Sequence, residues 1–256
     1  MTCRIFSSRA APISPFLCCL MAFSLNAQSV PATGPEAGRA LVAELLSVRP
    51  DEEVKWNGVL KISGRENKLD PVPIQCQTKP GETNWSVTYL TSATRTSGAE
   101  KLTIIFSTNA PPQYFYARAA APDAPLGETK ALTGAEADIP LADSDFWLSD
   151  LGFQFYHWPE QNELKGQTKR NRGCHVLESA NPHPAPGGYA RVVTWVDTES
   201  KQPLQAESYD VSGKNMKSFE LGSVQKIHGH YEVKDLKMFN RLTGSWTYLD
   251  FNLKDQ

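Results

Sequence analysis

Residues 189–221 read YARVVTWVDTESKQPLQAESYDVSGKNMKSFEL, and the periodicity of this stretch decides the fold class. Three runs, Tyr189–Asp197, Pro203–Asp210 and Asn215–Leu221, are strand-like, with the turn cluster Ser212-Gly213-Lys214 between the last two. In the first run Val192, Val193, Trp195 and Val196 are apolar at both parities, so that strand must be covered on both faces.

The pattern continues outward in both directions. Towards the C-terminus come Gln225–Asp235, Lys237–Asn240 and Trp246–Asn252, with Thr243-Gly244 as a turn. Towards the N-terminus come Arg172–Ser179 and then Val54–Ile62, Val72–Gln77, Thr83–Leu90, Lys101–Phe106 and a short run at Tyr114–Ala117. Ser63-Gly64-Arg65 and Lys79-Pro80-Gly81-Glu82 are turn signals between them. Ten or so strands at regular spacing predict a mainly β sandwich or barrel. There is no helix–strand alternation and no repeat of 20–50 residues, so one domain is expected.

Two segments interrupt the strands. Leu41, Val42, Leu45 and Leu46 recur at helical spacing, Thr33 and Glu36 have capping-box spacing, and Pro50 stops the run. Further on, Phe146, Trp147, Leu148, Leu151 and Phe155 predict a second amphipathic helix, started by Asp143 or Ser144 and ended by Pro159. Ala119–Leu141, rich in Ala, Pro, Gly and Asp, reads as a long loop.

The N-terminus reads as a secretory signal peptide. Arg4 and Arg9 precede an apolar run from Ala10 to Leu25, and cleavage is expected after Ala27. The run is shorter than the roughly 20 apolar residues of a spanning helix. The expected layout is therefore a signal peptide at 1–27 and one domain at 28–256. The whole chain carries 26 Lys and Arg against 28 Asp and Glu. Losing Arg4 and Arg9 with the leader would take the net charge from −2 to −4. A chain this close to neutral lacks the broad basic surface that nucleic-acid binding needs.

Chemistry is sparse. Cleavage would leave only Cys76 and Cys174, which either form one disulfide in an oxidising compartment or pack separately as small apolar groups. The five histidines make no HExxH, and there is no CxxC, GxSxG, P-loop or dinucleotide motif, so no metal, cofactor or enzymatic reaction is expected. His228-Gly229-His230 reads as a turn ahead of a two-imidazole grip. The acids Asp143, Asp145 and Asp150 suit helix capping better than acid–base work. The basic group Lys165, Lys169, Arg170 and Arg172 suits a solvated hairpin tip. The aromatics Phe146, Trp147, Phe153, Phe155, Tyr156 and Trp158, with Trp195 and Trp246, provide core and, if cover is incomplete, the wall of an apolar cavity.

The run Asp143-Ser144-Asp145-Phe146-Trp147-Leu148-Ser149-Asp150-Leu151 resembles the helix segment of the LolA-like outer-membrane lipoprotein-sorting proteins. So do Gly173–Glu178, Gly188–Asp197, Glu207–Asp210 with Gly213, Lys214 and Lys217, and Thr243–Thr247. The resemblance spans about residues 140–252 and is closest to the uncharacterised branch of that family. It implies an unclosed antiparallel β-barrel with helices across its concave face, in a monomeric periplasmic protein that shields lipid. The implied partners are acyl chains of lipoproteins or another lipid, and transfer proteins at the inner and outer membranes. The lipid-facing residues expected from this are Phe146, Trp147, Leu151 and Phe155 on the helix side and Trp195 on the sheet. The region of the chaperone's regulatory Arg holds Arg65 and Arg95, neither aligned to it. The readings set against a carrier are a periplasmic sensory or scaffolding module with a filled core, and a hydrolase using Asp143–Asp150.

Overall fold

The computed structural model describes residues 33–64, 71–227 and 230–251. The expected leader, Arg65 and the His228-Gly229 pair lie outside the described residues.

Helix α1 (Pro35–Ser47) starts at Pro35, whose fixed φ and missing N–H suit a first helical turn. Gly34, at φ +104°, is its N-cap, and no side chain caps it. The expected Thr33–Glu36 box does not form. Ala37, Leu41 and Val42 form the buried stripe, with Leu45 and Leu46 partly covered.

The strands run β1 (Val54–Ser63), β2 (Val72–Lys79), β3 (Asn84–Thr91), β4 (Glu100–Ser107), β5 (Gln113–Arg118), β6 (Lys130–Leu132), β7 (Glu160–Lys169), β8 (Arg172–Ala180), β9 (Arg191–Asp197), β10 (Pro203–Tyr209), β11 (Asn215–Leu221), β12 (Val224–Ile227), β13 (His230–Val233), β14 (Asp235–Asn240) and β15 (Ser245–Phe251). Thirteen of them form one antiparallel sheet in the order β6-β5-β4-β3-β2-β1-β15-β14-β11-β10-β9-β8-β7, while β12 and β13 make a separate hairpin. The sheet is not closed: β6 and β7 are its two edges. Its centre is the β1–β15 seam, where Leu60 faces Leu249 and Ile62 faces Thr247.

Strands β1, β2 and β4 alternate buried and open positions, as expected where one face is packed and the other wet. In β9 every residue from Val192 to Asp197 is buried. Val192 and Val196 join a cluster with α1 and Phe155, whereas Val193 and Trp195 join another with Cys174 and Val176. Lys169 and Gln167 of the edge strand β7 shield Trp195: Nζ lies 4.0 Å from the indole centroid and Oε1 accepts from Nε1 at 2.9 Å. The two-sided apolar run in the sequence is thus met by two-sided cover.

Periodicity does not distinguish edge strand β7, because Glu160–Lys169 has Leu164 as its one large apolar residue. Helix α1 lies on it: Gly34 and Glu163 exchange backbone hydrogen bonds of 2.7 and 3.0 Å. Gly38 sits so close that a Cβ there would be 2.6 Å from Asn162 N, so only glycine permits this approach.

The predicted second helix is corrected. Only Leu148–Leu151 is α-helical (α2), flanked by short 3₁₀ turns at Gly134–Ala137, Leu141–Asp143 and Gln154–His157. Phe153 takes φ +47°, which ends the helix two residues after Leu151. Gly152 packs so tightly on Tyr114 that a Cβ would strike its hydroxyl.

Candidate functional site

Residues 133–158, between β6 and β7, form an irregular plug. Leu141, Ala142, Phe146, Leu148 and Leu151 pack against Leu60, Ile74, Leu102, Ile104, Tyr114 and Leu249. Phe146 is 1% exposed and Leu148 is fully buried, so this half of the inner face is solidly filled. Phe146 and Leu151, two of the expected lipid contacts, are buried within this cluster.

Polar groups pin the plug at three places. Glu100, on β4, is fully buried and its Oε2 accepts from Ala142 N at 2.8 Å, holding a turn in which Ala142 and Asp143 both have positive φ. Burial raises the pKa of Glu100, opposed by that backbone bond and by Arg118. Asp145 accepts from Ser245 Oγ at 2.5 Å and Thr247 Oγ1 at 2.9 Å, both on β15. Asp143, one of the proposed cap acids, instead accepts from Ser97 Oγ at 3.0 Å and lies 3.6 Å from Arg118.

The third pin is a buried ion pair. Asp150 Oδ2 accepts from Trp147 N at 2.8 Å, which caps α2 as expected of an acid there. The same oxygen accepts from Tyr189 OH at 3.3 Å and from Lys217 Nζ, on β11, at 3.2 Å. Lys217 is 4% exposed, and burial lowers its pKa against the pull of Asp150. Its ammonium lies 3.7 Å from the Trp147 ring centroid, and Trp147 stacks on Tyr189 at 4.5 Å. Trp147 therefore holds a cation in place where a lipid contact was expected. Among these residues lies a chamber of only about 20 Å³, also lined by Phe153, Phe155, Ser208 and Phe219, with room for one water but not an acyl chain.

A larger recess lies elsewhere. A groove of about 470 Å³ runs between α1 and the turns at Thr108-Asn109 and Tyr156–Pro159. Val42, Ala43, Leu46, Tyr156 and Trp158 give it apolar walls, and Arg39, His157 and Gln161 add polar atoms. Burial lowers the pKa of His157, which favours the neutral imidazole. Beside the groove, Arg49 Nη2 donates to Thr108 Oγ1 at 3.0 Å and its guanidinium lies 5.7 Å from the Trp85 ring, itself stacked on Phe106. Phe155 is adjacent, packed among Val42, Tyr156 and Trp158 and T-shaped to both aromatics. It is the one predicted lipid contact near this groove. Trp195, the expected sheet contact, joins the Cys174 and Val176 cluster on the opposite face of β9 from Val192 and Val196.

Sequence reasoning assigned Lys217 no role in the site, although a lysine between Met216 and Ser218 and two residues from Phe219, in a buried-strand pattern, is a signal. It also missed the groove, which arises from packing between distant segments. Cys76 and Cys174 lie in different buried clusters and are not bridged to each other, so of the two alternatives they pack separately. The basic hairpin tip is engaged internally: Arg172 pairs with Asp197 at 2.7 Å and Arg170 donates to Leu221 O. Among the described residues no group of three His, Cys, Asp or Glu could hold a metal, and no helix is long and apolar enough to cross a membrane.

No curated protein matches the chain. Solved structures match its fold along most of its length. A DUF1329 family protein from Desulfovibrio piger is 15% identical, with a TM-score of 0.68 over 86% of this chain and 91% of that one. A domain from Vibrio parahaemolyticus described as an outer membrane lipoprotein-sorting protein is 18% identical, TM-score 0.69, over 85% and 91%. A LolA superfamily protein from Nitrosomonas europaea is 18% identical, TM-score 0.57, over 88% and 96%. A family model described as "Uncharacterized protein"-like matches residues 83–253, two thirds of the chain. The chain therefore belongs to that family, and its fold is that of the solved LolA superfamily and outer-membrane lipoprotein-sorting structures.

Proposed function

We propose that the chain is a periplasmic carrier, exported by its leader, that shields the acyl chain of a lipoprotein or another lipid and performs no chemistry on it. The groove between α1 and Tyr156–Trp158 is the observation that carries this reading. Its volume falls within the 300–1,000 Å³ usual for ligand sites, and its walls are largely apolar. Val42, Leu46, Tyr156 and Trp158 would meet the chain, with Phe155 packed behind them, and Arg39 and His157 the more polar end of the ligand. An acyl chain of about 14 methylenes at roughly 0.8 kcal/mol each supplies ample transfer free energy before ordering costs. Release to a membrane partner then needs only a difference in affinity.

The inner half of the sheet bears on how much chain can enter. With the plug seated, the chamber at Lys217 admits no acyl chain. Deep insertion requires the plug to leave, and the Asp150–Lys217 pair resists this, because separation would strand a charge in a low-dielectric site. The reading therefore predicts shallow binding in the groove with the plug closed.

Mass spectrometry of lipid extracted from the mature protein, purified from an envelope fraction without detergent, tests this. A stoichiometric acylated species is the expected result, with uptake of a fluorescent fatty acid by delipidated protein that Leu46→Glu abolishes. An empty protein that takes up no fatty acid overturns the carrier. The filled core around Phe146 favours a second reading in that case, a module that holds a protein partner and transfers no lipid.

A further inference from the structure

The groove beside α1 has a sign as well as a volume. Its helix flank presents Arg39, Val42, Ala43, Leu46 and Ser47, one side of a helix over about 12 Å at 1.5 Å per residue. Arg39 is the one Asp, Glu, Lys or Arg among the lining residues. It is exposed, and its side chain has no ion-pair or hydrogen-bond partner among the described residues. Glu36, three residues earlier on α1, makes no ion pair with it, and Glu44 is engaged by Lys201 at 3.4 Å.

The hydrogen-bonding groups of the groove are biased the same way. Two side-chain acceptors on its walls are already engaged: Gln161 Oε1 accepts from Ser179 Oγ at 2.7 Å, and Thr108 Oγ1 from Arg49 Nη2 at 3.0 Å. Gln161 Nε2 is used as well, donating to the carbonyls of Phe155 and Trp158. The groups left to meet a ligand are the Arg39 guanidinium, which only donates, the His157 ring, and the Asn109 amide at the rim. Arg49 adds a second guanidinium at the mouth. Its acceptors are the Thr108 hydroxyl and the Glu82 carbonyl, so no carboxylate answers its charge either.

We propose that the groove takes alkyl chains that end in an anion, with the anionic group on Arg39 and the hydrocarbon against Val42, Leu46 and Trp158. This rests on the carrier reading and narrows it. A chain joined to a lipoprotein through an amide or ester ends without charge and leaves Arg39 unanswered. A free fatty acid or a phosphorylated lipid ends in a carboxylate or phosphate, which a planar guanidinium meets through paired N–H donors.

The test compares decanoate with decanol, which have chains of equal length, by calorimetry and tryptophan fluorescence on the delipidated mature protein at neutral pH. Hydrocarbon burial alone ranks the alcohol first, because a hydroxyl costs less to desolvate than a carboxylate. The expected order is the reverse, with decanoate tighter by about fivefold or more. Arg39→Gln should cancel that difference by weakening decanoate and leaving decanol unchanged. Arg39 is exposed and glutamine is a comparable helix former, so the variant should fold. Decyl phosphate separates the two sources: tighter binding than decanoate names a phosphorylated lipid and weaker binding the free acid, and both support the anion. Decanol binding as tightly as decanoate, or an order unmoved by Arg39→Gln, overturns this inference and leaves the carrier reading standing. Binding of neither chain overturns both.

Discussion

The two halves of the inner face are covered by different means. Over β1–β5 the cover is the irregular plug, whose apolar side chains lock into the sheet and leave no space. Over β7–β9 the cover is a regular helix, α1, which buries one stripe and leaves a groove along its flank. An irregular chain can place a side chain wherever the surface needs one. A straight helix on a twisted sheet cannot, and the mismatch is where room for a ligand remains. At the junction of the two covers sits the Asp150–Lys217 pair.

Mutations should read this contrast directly, and the largest effects belong to the plug. Phe146→Ala should cost about 3–5 kcal/mol, read as a lowered urea midpoint with unchanged slope. A loss below about 1 kcal/mol would mean that the plug is loosely held. Asp150→Ala, which strands Lys217, should cost about 3–5 kcal/mol, while the double change Asp150→Ala with Lys217→Met should recover most of that loss. Lack of recovery would assign the effect to the Trp147 cap and not to the ion pair.

Leu46→Glu, on the partly exposed flank of α1, should shift stability by about 1 kcal/mol or less while abolishing fatty-acid uptake. Unfolding of this variant would deny the groove its separateness from the core. Asp138→Asn should be the reverse case, a gain. Burial raises the folded-state pKa of Asp138, so its ionised form opposes folding at neutral pH. That penalty disappears as pH falls through the raised value towards the ordinary carboxylate range. The variant should accordingly be the more stable at pH 7 and converge with the parent in acid, which paired denaturation curves at two pH values would show. The smallest effect is expected at the exposed Lys61–Asp250 pair, where Lys61→Ala should change stability by about 1 kcal/mol or less.

Much of this was legible before any coordinates. The strands of the sheet follow from alternation, because a one-sided sheet writes its packing into every second residue, as in Val72, Ile74 and Cys76. Strand β7 escaped because an edge strand under a helix makes few apolar demands of its side chains. The second helix was misread because Phe146, Leu148 and Leu151 do face one way, but they reach it by turns that Glu100 and Asp145 stabilise from strands far along the chain. The face of Trp195 was likewise open: parity separates it from Val192 and Val196 without saying which side is concave. The site residues were the least legible part, since Lys217 and Asp150 meet only through the fold.

The seam at the middle of the sheet sets an order of assembly. Strand β1 hydrogen-bonds on one side to β2, which follows it closely, and on the other to β15, whose last residue is Phe251. A chain emerging N-terminus first must hold the β15-facing side of β1 unpaired until β15 has appeared. Pairings so distant in sequence close slowly. Loss of the last strand would leave the two half-sheets without their shared spine and bare the inner edge of each to neighbouring chains.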